Sequence, residues 1–454
     1  MPETLLQPDR GQPARPIALI APDAYPAWLG AQPARIRAAL AAQRFTGKPG
    51  SHAIYADEDV QAIVVAGAPD VWTLAKLAET LPAGTYRVTG AIGPAALGWL
   101  LGQYRFDRYR KPDETGARIL LTQDAAGIEE VLRIAAATGW VRDLVNTGAG
   151  DLGPAELEEA TERLARDHSA SVTVTRGDAL ATGYPMIHAV GQAAVKERAP
   201  RLIELEWGDP AHPRVALVGK GVVFDTGGLD IKPSAGMRLM KKDMGGAAHA
   251  LALARLVMAA RLPVRLHLLI PAVENAIAGN AFRPGDVLRS RLGLTVENTN
   301  TDAEGRLILA DALTRAGEAK PELILDFATL TGAARVALGP DLPPLFTDDE
   351  TLATDLLAAG TALDDPLWRL PLWDGYDEML KSDIADMVNA PDGGFAGAIT
   401  AALFLRRFVP KDVVWAHMDV FAWRPSAKPG RPKGGDAYAL RACYALLKQR
   451  YGTR

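Results

Sequence analysis

The sequence predicts an α/β protein with two domains. A smaller α/β domain is expected over residues 1–140, and a larger domain with a mixed sheet sandwiched by helices over residues 141–454. The length of 454 residues is too great for one ordinary domain. Short β-rich runs alternate with Ala-rich helical stretches in the first third. In the second half, apolar strands, Gly-rich turns and helices follow one another repeatedly.

The first third of the chain has the pattern of a scaffold. From Ile17 to about Leu121, its β-rich runs are IALIA, AIVVAG, TYRVTG and ARILLTQ. It contains no tight cluster of acids or histidines, so we expect a role in structure, oligomerisation or regulation and not in catalysis. A helical stretch and the Gly and Pro residues around Pro154 come next. We therefore place the domain boundary between about residues 125 and 150.

The second half repeats a strand, a Gly-rich turn and a helix. VALVGKGVVFDTGG precedes GGAAHALALARLV, LILDFATLTG precedes AARVAL, and DGGFAGA precedes ITAALFLRRF. Apolar strands followed by helices predict a parallel or mixed sheet that is covered on both faces, with ligands beyond the carboxyl ends of its strands. The Gly-rich turns mark those ends, so functional residues are expected there.

The composition indicates the cellular compartment and limits the expected binding partners. Cys443 is the only cysteine, so an intrachain disulfide is excluded, and its apolar helical surroundings predict a packing role. We expect a reducing, cytoplasmic compartment. The amino-terminal MPETLLQPDRGQPARP lacks the pattern of a secretory signal, and no apolar run is long enough to span a bilayer. A net charge of -4 offers no general attraction to nucleic acid or a membrane surface.

The stretch NTNTDAEGRLILADAL, residues 298–313, places Asp302, Glu304 and Arg306 at every second position. This spacing puts side chains on one face of an extended segment but scatters them around a helix. The alternative is local, because Thr301 and Glu304 have the spacing of a capping box ahead of an apolar helix. Both interpretations are open on these residues alone.

A second group of charged residues lies in VALVGKGVVFDTGGLDIKPSAGMRLMKKDMGGAA, residues 215–248. Its candidates are Lys220, Asp225, Lys232 and Asp243. Each also has an ordinary interpretation. Lys220 could bind phosphate, and Asp225 could form a turn. Lys232 could be a solvated charge, and Asp243 could cap a helix. A phosphate loop is excluded because Arg214 stands where the GxxxxGK[ST] motif needs its first glycine. Acids at successive strand ends, together with those of NTDAEGR, favour one converging site.

Three stretches carry a family resemblance. VGKGVVFDTGGLDIKP, MKKDMGGAA and NTDAEGRL resemble, in order and in spacing, the signature stretches of the leucyl aminopeptidase family, the two-metal cytosolic aminopeptidases. NTDAEGRL is highly specific by itself. Weaker similarity in VRDLVNT, DFATLTGA, SDIADM, GAITAALFL and WAHMD extends the resemblance over roughly residues 140–420.

The resemblance implies a dinuclear metal site. The implied metal ligands are Lys220, Asp225, Asp243, Asp302 and Glu304. Asp225 and Glu304 would bridge the two ions. Asp302 would serve one ion, while Lys220 and Asp243 would serve the other. The implied catalytic residues are Lys232 and Arg306. The implied substrate-binding residues are Met240, Thr329, Leu330, Gly332 and Phe421.

Electrostatics independently requires cations at such a site. Carboxylates that share a cleft repel one another by about 4 kcal/mol per close pair at an effective dielectric constant of about 20. Two divalent ions would balance four carboxylates, and a lysine ligand beside them would be neutral. The implied ligands include no histidine or cysteine, and this oxygen-rich set admits zinc, manganese, cobalt or magnesium. His249 is expected to be a packed or capping residue, and His417 to steady a strand end.

By the same resemblance, the chain is a metalloaminopeptidase, a hydrolase that releases amino acids from the free N-terminus of peptides. A metal-bridging hydroxide would attack the first peptide carbonyl, and Lys232 would stabilise the oxyanion. Arg306 keeps its proton, and the resemblance suggests that it holds a bicarbonate that shuttles protons. A homohexamer is also implied. Two alternatives are an added nucleic-acid-binding or regulatory role and a catalytically silent structural subunit.

Some residues depart from the family pattern. HMDVFAWRPSAKPGRPKGGDAY places Phe421, Trp423 and Arg424 where small residues are usual, and Asp230 also differs. In an ungapped alignment, Phe421 would shorten the pocket for the N-terminal side chain, and Arg424 near its floor would attract an acidic side chain. A shift by one residue would seat Ala422 there instead and restore an ordinary pocket.

Overall fold

The computed structural model describes residues 3–112 and 115–452. Contacts divide the chain into two compact units. The first unit comprises the chain up to Gly139 together with Ser426–Lys433, and the second comprises Trp140–Pro425 together with the chain from Gly434 onward. A short late segment therefore returns to the first unit, which a single boundary along the sequence does not describe. Within the described ranges, no helix is long and apolar enough to cross a bilayer.

The first unit is built on a six-stranded sheet. Its strands are β1 (Leu6–Pro8), β2 (Arg15–Ile20), β3 (His52–Asp57), β4 (Asp59–Val65), β5 (Gly84–Thr89) and β6 (Arg118–Thr122). The strand order is β1-β6-β5-β2-β4-β3. Neighbouring strands are parallel except for the antiparallel pair β3 and β4. This topology confirms the predicted α/β pattern.

Among the described residues, five α-helices begin in the first unit. They are α1 (Tyr25–Ala31), α2 (Ala34–Ala42), α3 (Ala75–Thr80), α4 (Ala95–Gly102) and α5 (Ile128–Asn146), the last of which continues into the second unit. Every residue of α4 is buried, as its apolar sequence AALGWLLG predicts. Glycine is required on its packed face, because a Cβ at Gly98 would lie 1.9 Å from the carbonyl oxygen of Val71.

The second unit contains a nine-stranded mixed sheet and two small sheets. Its strands are β7 (Ser171–Arg176), β8 (Arg201–Trp207), β9 (Arg214–Gly219), β10 (Gly221–Asp225), β11 (Arg265–Asn275), β12 (Val287–Arg289), β13 (Thr295–Glu297), β14 (Leu323–Ala328), β15 (Pro344–Phe346), β16 (Trp368–Arg369), β17 (Met387–Val388), β18 (Val414–Asp419), β19 (Trp423–Arg424) and β20 (Gly434–Gly435). The large sheet has the order β16-β15-β18-β14-β9-β11-β8-β7, with β10 paired to β11.

The helices of the second unit, after the end of α5, comprise ten α-helices and three 3-10 helices among the described residues. The α-helices are α6 (Pro154–His168), α7 (Gly177–Gly183), α8 (Pro185–Gly191), α9 (Ser234–Met237), α10 (Gly245–Ala259), α11 (Glu304–Glu318), α12 (Gly332–Leu338), α13 (Glu350–Ala362), α14 (Gly397–Arg406) and α15 (Leu440–Tyr451). The 3-10 helices are Lys196–Arg198, Met240–Met244 and Asp374–Leu380, and the first unit adds Glu3–Leu5.

The central strands of the large sheet are buried along their length. β14 is buried at every position, and β9 is buried after its first residue. Strands β9, β11, β14 and β18 run parallel, which agrees with their near-continuous apolar sequences. α11 packs with Ala216 and Ile324 in one large apolar cluster. Cys443 is buried in α15, as its apolar surroundings predict.

The third predicted strand, turn and helix unit differs from the first two. α14 forms as expected after DGGFAGA. The strand before it, however, is the two-residue β17, which pairs with β13 in a separate three-stranded sheet with β12. The expectation of a large-sheet strand there is wrong, because only Met387 and Val388 adopt paired extended backbone and the following polar residues form turns.

Candidate metal centre

The predicted ligands lie where neighbouring strands and helices of the second unit meet. Lys220 separates β9 from β10, and Asp225 is the last residue of β10. Asp243 lies in the 3-10 helix that immediately precedes α10, and Glu304 is the first residue of α11. Asp302 lies in the turn just before α11. Of the four acids, only Asp225 ends a strand, so the expectation of acids at successive strand ends is wrong for Asp243, which lies in a 3-10 helix.

Small residues let three elements approach one another around Lys220. The Lys220 N–H donates to the Phe327 carbonyl (3.0 Å), and the Lys220 carbonyl accepts from the Ala247 N–H (2.8 Å). A Cβ at Gly246 would lie 2.1 Å from the Phe327 oxygen, and a Cβ at Gly305 would lie 2.6 Å from Lys220 Cε. Glycine at position 246 therefore allows α10 to meet the end of β14, and glycine at position 305 allows α11 to pack against the Lys220 side chain.

Lys220 joins two of the acids. Its Nζ lies 2.7 Å from Asp243 Oδ2 and 2.9 Å from Glu304 Oε1, and it donates to the Thr329 carbonyl at 3.2 Å. Burial by itself would lower the pKa of Lys220, but the charges of Asp243 and Glu304 outweigh burial and raise it. The amine is thus protonated among these residues alone, and a divalent ion beside it would favour the neutral form.

Lys232 joins the other two acids. Its Nζ lies 2.9 Å from Asp225 Oδ2 and 2.5 Å from Asp302 Oδ1. One carboxylate oxygen from each of Asp225, Asp302 and Glu304 lies within 4.8 Å of the others. Asp243 is connected to this triplet through Lys220. The structure therefore brings all five predicted ligands and the predicted catalytic lysine into one cluster.

Hydrogen bonds orient some of the carboxylate oxygens. Asp225 Oδ1 accepts from the Gly227 N–H (2.9 Å) and from Asn275 Nδ2 (2.8 Å). Asp243 Oδ1 accepts from the Thr329 hydroxyl (2.9 Å). This contact also shows that Asp243 is not the cap of α10, which has no side-chain cap. Each of these two acids thus has one oxygen that is held by the protein.

Three buried oxygens accept no well-directed hydrogen bond from the described residues, namely Asp243 Oδ2, Asp302 Oδ1 and Glu304 Oε1. Each lies between 2.5 and 2.9 Å from a lysine ammonium group. These contacts are ion pairs, but their angles are not those of a hydrogen bond. Leaving buried carboxylate oxygens without hydrogen bonds is costly. Such oxygens are suitable ligands for divalent cations, so the donor set fits metal ions.

The acids are not neutralised equally by the lysines around them. Burial and the nearby charge of Asp225 raise the pKa of Asp302 and of Glu304. Burial acts in the same direction on Asp243, but the charges of Lys220 and Lys242 outweigh it and lower the pKa of Asp243. The triplet therefore carries an excess of negative charge, which further cations would relieve.

Arg306 lies in the first turn of α11. Its Nη1 donates to the Asn389 carbonyl (2.6 Å), and its Nε is buried without a hydrogen-bond partner. Burial lowers the pKa of Arg306 to about 10, so the guanidinium remains charged at neutral pH. A buried cation with an unused donor can hold an anion but cannot act as a base at that pH.

The sequence did not identify Asn389, which holds the loop before α11. Its Oδ1 accepts from the N–H groups of Thr299 (2.8 Å) and Asn300 (3.3 Å). Its Nδ2 donates to Asn298 Oδ1 (2.9 Å) and to the Asn300 carbonyl (2.7 Å). A single asparagine after a short apolar run is too common a signal for this role to have been found from the sequence.

The structure corrects the interpretation of the spacing in NTDAEGR. Glu304 and Arg306 lie on a helix, and only Asp302 precedes it, so the three residues do not share an extended face. The capping box is also absent, because the Thr301 hydroxyl donates to the Gly227 carbonyl (2.6 Å) and α11 has no side-chain cap. The acids converge because a turn joins directly onto the helix.

The predicted substrate-binding residues lie around the end of β14 and the start of the 3-10 helix before α10. Thr329 and Leu330 follow β14, and the Leu330 N–H donates to Asp419 Oδ1 (2.9 Å). Met240 is the first residue of the 3-10 helix, and Gly332 is the first residue of α12. Their role in substrate binding stays a prediction.

Phe421 and Arg424 differ in what they contact. The Phe421 ring centroid lies 4.5 Å from Arg335 Cζ and 5.7 Å from Lys242 Nζ. Arg424 is 2% exposed, and its Nε lies 2.9 Å from Asp436 Oδ2. The expectation that Arg424 attracts an acidic substrate side chain is wrong, because its charge is already paired inside the protein. Ala422, the alternative pocket residue, is fully buried.

The two histidines that were expected to have structural roles do have them. His249 Nδ1 lies 2.6 Å from the Gly245 carbonyl, and its Nε2 accepts from the Tyr438 N–H (2.9 Å). This acceptor role assigns the proton to Nδ1. His417 Nδ1 lies 2.6 Å from Asp326 Oδ1, which joins β18 to β14.

An α/β fold that encloses a cluster of four carboxylates and several lysines is typical of a class of metal-dependent hydrolases. Residues 139–444 match the family model "Cytosol aminopeptidase family, catalytic domain", and residues 15–122 match "M17 aminopeptidase, N-terminal domain". The chain belongs to the cytosol aminopeptidase family, which confirms the resemblance to the leucyl aminopeptidases and the fold class.

Curated relatives cover most of the chain. It is 43% identical over 386 residues to the probable cytosol aminopeptidase of Syntrophotalea carbinolica, which covers 81% of this chain and 77% of that relative. It is 40% identical over 409 residues to the probable cytosol aminopeptidase of Geobacter sp. (strain M21), with 86% of this chain and 81% of that relative covered. These matches show a leucyl-aminopeptidase-type hydrolase.

Solved structures agree with this assignment. The crystal structure of the cytosol aminopeptidase from Coxiella burnetii matches with a TM-score of 0.94 and 45% identity, covering 98% of this chain and 99% of that one. The bottromycin maturation enzyme BotP in complex with Mn matches with a TM-score of 0.86 and 34% identity, covering 96% of this chain and 100% of that one. Metal dependence is thus a property of the family.

Proposed function

We propose that this chain is a dinuclear metalloaminopeptidase whose ligands are Lys220, Asp225, Asp243, Asp302 and Glu304. One observation carries the proposal: four carboxylates meet three ammonium groups, and three buried carboxylate oxygens lack a directed hydrogen bond. Asp225 and Glu304 would bridge the ions, as in the family pattern. Zinc and manganese are the proposed metals, with manganese supported by the Mn complex of the bottromycin enzyme. Cobalt and magnesium suit the same ligand set.

When bound, the two ions would acidify water to give the attacking hydroxide and would polarise the scissile carbonyl. The chain's own residues have separate tasks. Lys232 carries a positive charge beside Asp225 and Asp302 and would donate to the oxyanion that forms on the carbonyl. Arg306 would hold an anion, proposed to be bicarbonate, through its free Nε donor, so that the anion and not the guanidinium moves the proton.

The substrate is proposed to be a peptide with a free N-terminus. One ion would anchor the free α-amine of the substrate, which would restrict cleavage to the first peptide bond. The side chain of the first residue is proposed to lie among Met240, Thr329, Leu330, Gly332 and Phe421. A panel of aminoacyl-p-nitroanilides tests this pocket. If leucine and methionine substrates exceed alanine substrates by tenfold or more, Phe421 does not shorten the pocket.

Metal analysis combined with kinetics tests the division of roles. Lys232→Ala should lower kcat and leave metal content unchanged, because Lys232 acts on the oxyanion. Asp243→Ala should lose metal as well as activity, because it removes a ligand. Equal metal loss in the two variants would contradict this division. The same measurement on the unaltered protein identifies the metals.

The remaining expectations extend beyond the site. We propose that residues 141–454 carry catalysis, that residues 1–140 serve oligomerisation or regulation, and that the chain assembles as a homohexamer in the cytoplasm, as the resemblance implies. Light scattering tests the assembly state. The family matches support neither the nucleic-acid-binding alternative nor the silent-subunit alternative, and a gel-shift assay at low salt tests the former.

A further inference from the structure

Asp230 and Thr301 form a reciprocal set of hydrogen bonds between two loops. Asp230 Oδ2 accepts from the Thr301 N–H (2.7 Å) and lies 3.1 Å from the Thr301 hydroxyl oxygen. The Asp230 N–H donates back to the Thr301 hydroxyl oxygen (2.8 Å). We call this pair the Asp230–Thr301 clamp. It uses the aspartate that departs from the family pattern in the sequence.

The clamp connects the loop of the proposed catalytic lysine to the loop of a proposed metal ligand. Asp230 stands two residues before Lys232, and Thr301 stands immediately before Asp302. Across the clamp, Lys232 Nζ and Asp302 Oδ1 are 2.5 Å apart. The Thr301 hydroxyl also donates to the Gly227 carbonyl (2.6 Å), which is in the same loop as Asp230. The clamp therefore sets where the ammonium group lies relative to the carboxylate.

The clamp is not needed to hold the loop of Thr301 in the fold. The other side of that loop is fixed by the buried Asn389, which bonds to Asn298, Thr299 and Asn300. Asp230 itself is exposed. Removing its side chain leaves the apolar core untouched, so a variant is expected to fold. What changes is the position of one loop relative to the other.

The chain contains a matched pair that serves as a control. Asp386 Oδ2 accepts from the Thr295 N–H (2.7 Å) and hydroxyl (2.8 Å), and the Asp386 N–H donates back to the Thr295 hydroxyl oxygen (3.1 Å). Asp386 is exposed, as Asp230 is. The chemistry of the two pairs is therefore alike, but Asp386 and Thr295 adjoin neither the proposed ligands nor the catalytic residues in sequence.

We propose that Asp230 is a positioning residue that acts through Thr301 to hold Lys232 against the metal-binding carboxylates. This inference rests on the proposed role of Lys232. In enzymes, a displacement of about 1 Å of a catalytic group costs on the order of 100-fold in rate. Loss of the clamp should therefore lower kcat by about 10-fold to 100-fold, with KM and metal content unchanged.

Lysine labelling tests the clamp without relying on activity. The full-length protein, as purified and after chelation, is acetylated with acetic anhydride and the rate at each lysine is read by mass spectrometry. Lys232, 14% exposed in its side chain, should react several-fold faster in Asp230→Ala than in the unaltered protein. Its rate should not change in Asp386→Ala. Lys381, 69% exposed, calibrates the reagent. Equal Lys232 rates in all three proteins would overturn the proposal.

Kinetics then test whether Asp230 acts through Lys232. Asp230→Ala should lower kcat on leucine p-nitroanilide, Asp230→Asn should recover part of the loss by keeping one acceptor oxygen, and Asp386→Ala should have no effect. In a Lys232→Met background, Asp230→Ala should cause no further loss. An equal loss in both backgrounds would overturn the proposal. If the unaltered protein hydrolyses no aminoacyl substrate, the proposed function fails, and the labelling result still decides the clamp.

Discussion

Two buried clusters of charge in the second unit differ in their balance. In the candidate metal centre, the acids Asp225, Asp243, Asp302 and Glu304 meet the ammonium groups of Lys220, Lys232 and Lys242. In the other, which we call the arginine cluster, Asp436 lies 2.9 Å from both Arg142 Nε and Arg424 Nε, and Arg424 Nη1 lies 2.7 Å from Asp341. The first cluster has four acids to three bases, whereas the second has two of each.

The difference shows how to distinguish a ligand site from a structural ion pair. The arginine cluster pairs each carboxylate with a guanidinium group, so it can hold the segment around Asp436 without any added ion. The metal centre leaves three carboxylate oxygens without directed hydrogen bonds and an excess of negative charge. Under the proposed function, an added cation would complete it. Both clusters contain buried charges. The excess of acids over bases is what distinguishes the candidate metal centre.

The largest effect is expected from removing an acid of the metal centre. Glu304→Gln should lower kcat/KM by at least about 1,000-fold, because it disrupts metal chemistry that contributes several kcal/mol. The chelated variant should nevertheless be no less stable than the chelated unaltered protein, because one like charge is gone. Steady-state kinetics measure the loss of kcat/KM, and urea unfolding compares the stability of the two chelated proteins. Marked destabilisation of the chelated variant would contradict the imbalance.

The opposite outcome is expected in the arginine cluster. Asp436→Ala should lower the free energy of unfolding by about 3–5 kcal/mol, because it leaves two buried guanidinium groups without their shared partner. Metal content should be unchanged. Asp341→Ala is the control, since the Asp341 side chain is 37% exposed and an exposed pair contributes about 1 kcal/mol or less. Similar losses in the two variants would show that burial of the pair is not what matters.

Metal should stabilise the native state through the first cluster alone. A cation present at 100 times its dissociation constant adds about 2.7 kcal/mol if it binds only the folded chain. Chelation should therefore lower the melting temperature by several degrees in the unaltered protein and in Asp341→Ala, but not in Glu304→Gln. Scanning calorimetry with confirmed metal removal measures this. An unchanged melting temperature in the unaltered protein would count against the cation requirement.

The smallest effect is the pH dependence of the arginine cluster. Burial acts to raise the pKa of Asp436, but Arg142 and Arg424 outweigh it and lower the pKa. A lowered acid pKa gives stability that is present above the unfolded value of about 3.9 and is lost as pH falls below it. The difference in unfolding free energy between the unaltered protein and Asp436→Asn should be constant from pH 5 to 7 and shrink below about pH 4. Urea titrations over that range test this.

Part of the metal centre could be predicted from residues close together in the chain. Lys220 and Asp225 bound a short apolar strand, and the carboxyl ends of parallel strands meet at one edge of a sheet. NTDAEGR supplies Asp302 and Glu304 at short range. The helix start at Glu304 was harder to predict, because the Thr301 hydroxyl has the spacing of a cap but is used by Gly227 and Asp230.

Other contacts depend on partners that are far apart in the chain. Arg424 pairs with Asp341, 83 residues before it, and Asp436 pairs with Arg142 across 294 residues. In the sequence alone, where these partners are not apparent, Arg424 resembles an unpaired cation near the substrate pocket. Asn389 likewise reaches Asn298 across 91 residues. Spacing along the chain gives no sign of such pairs.

The sequence by itself determined the α/β class, the ligand candidates and the family, because each depends on local patterns of apolar periodicity, glycine turns and acids at strand ends. The tertiary structure alone decided which charges remain unpaired. That outcome depends on which distant groups fold into contact, since the same aspartate or arginine is neutralised beside one partner and available to a ligand without it. Arg424 and Arg306 show the two results: the first is paired with Asp436 and the second keeps a buried, unused donor.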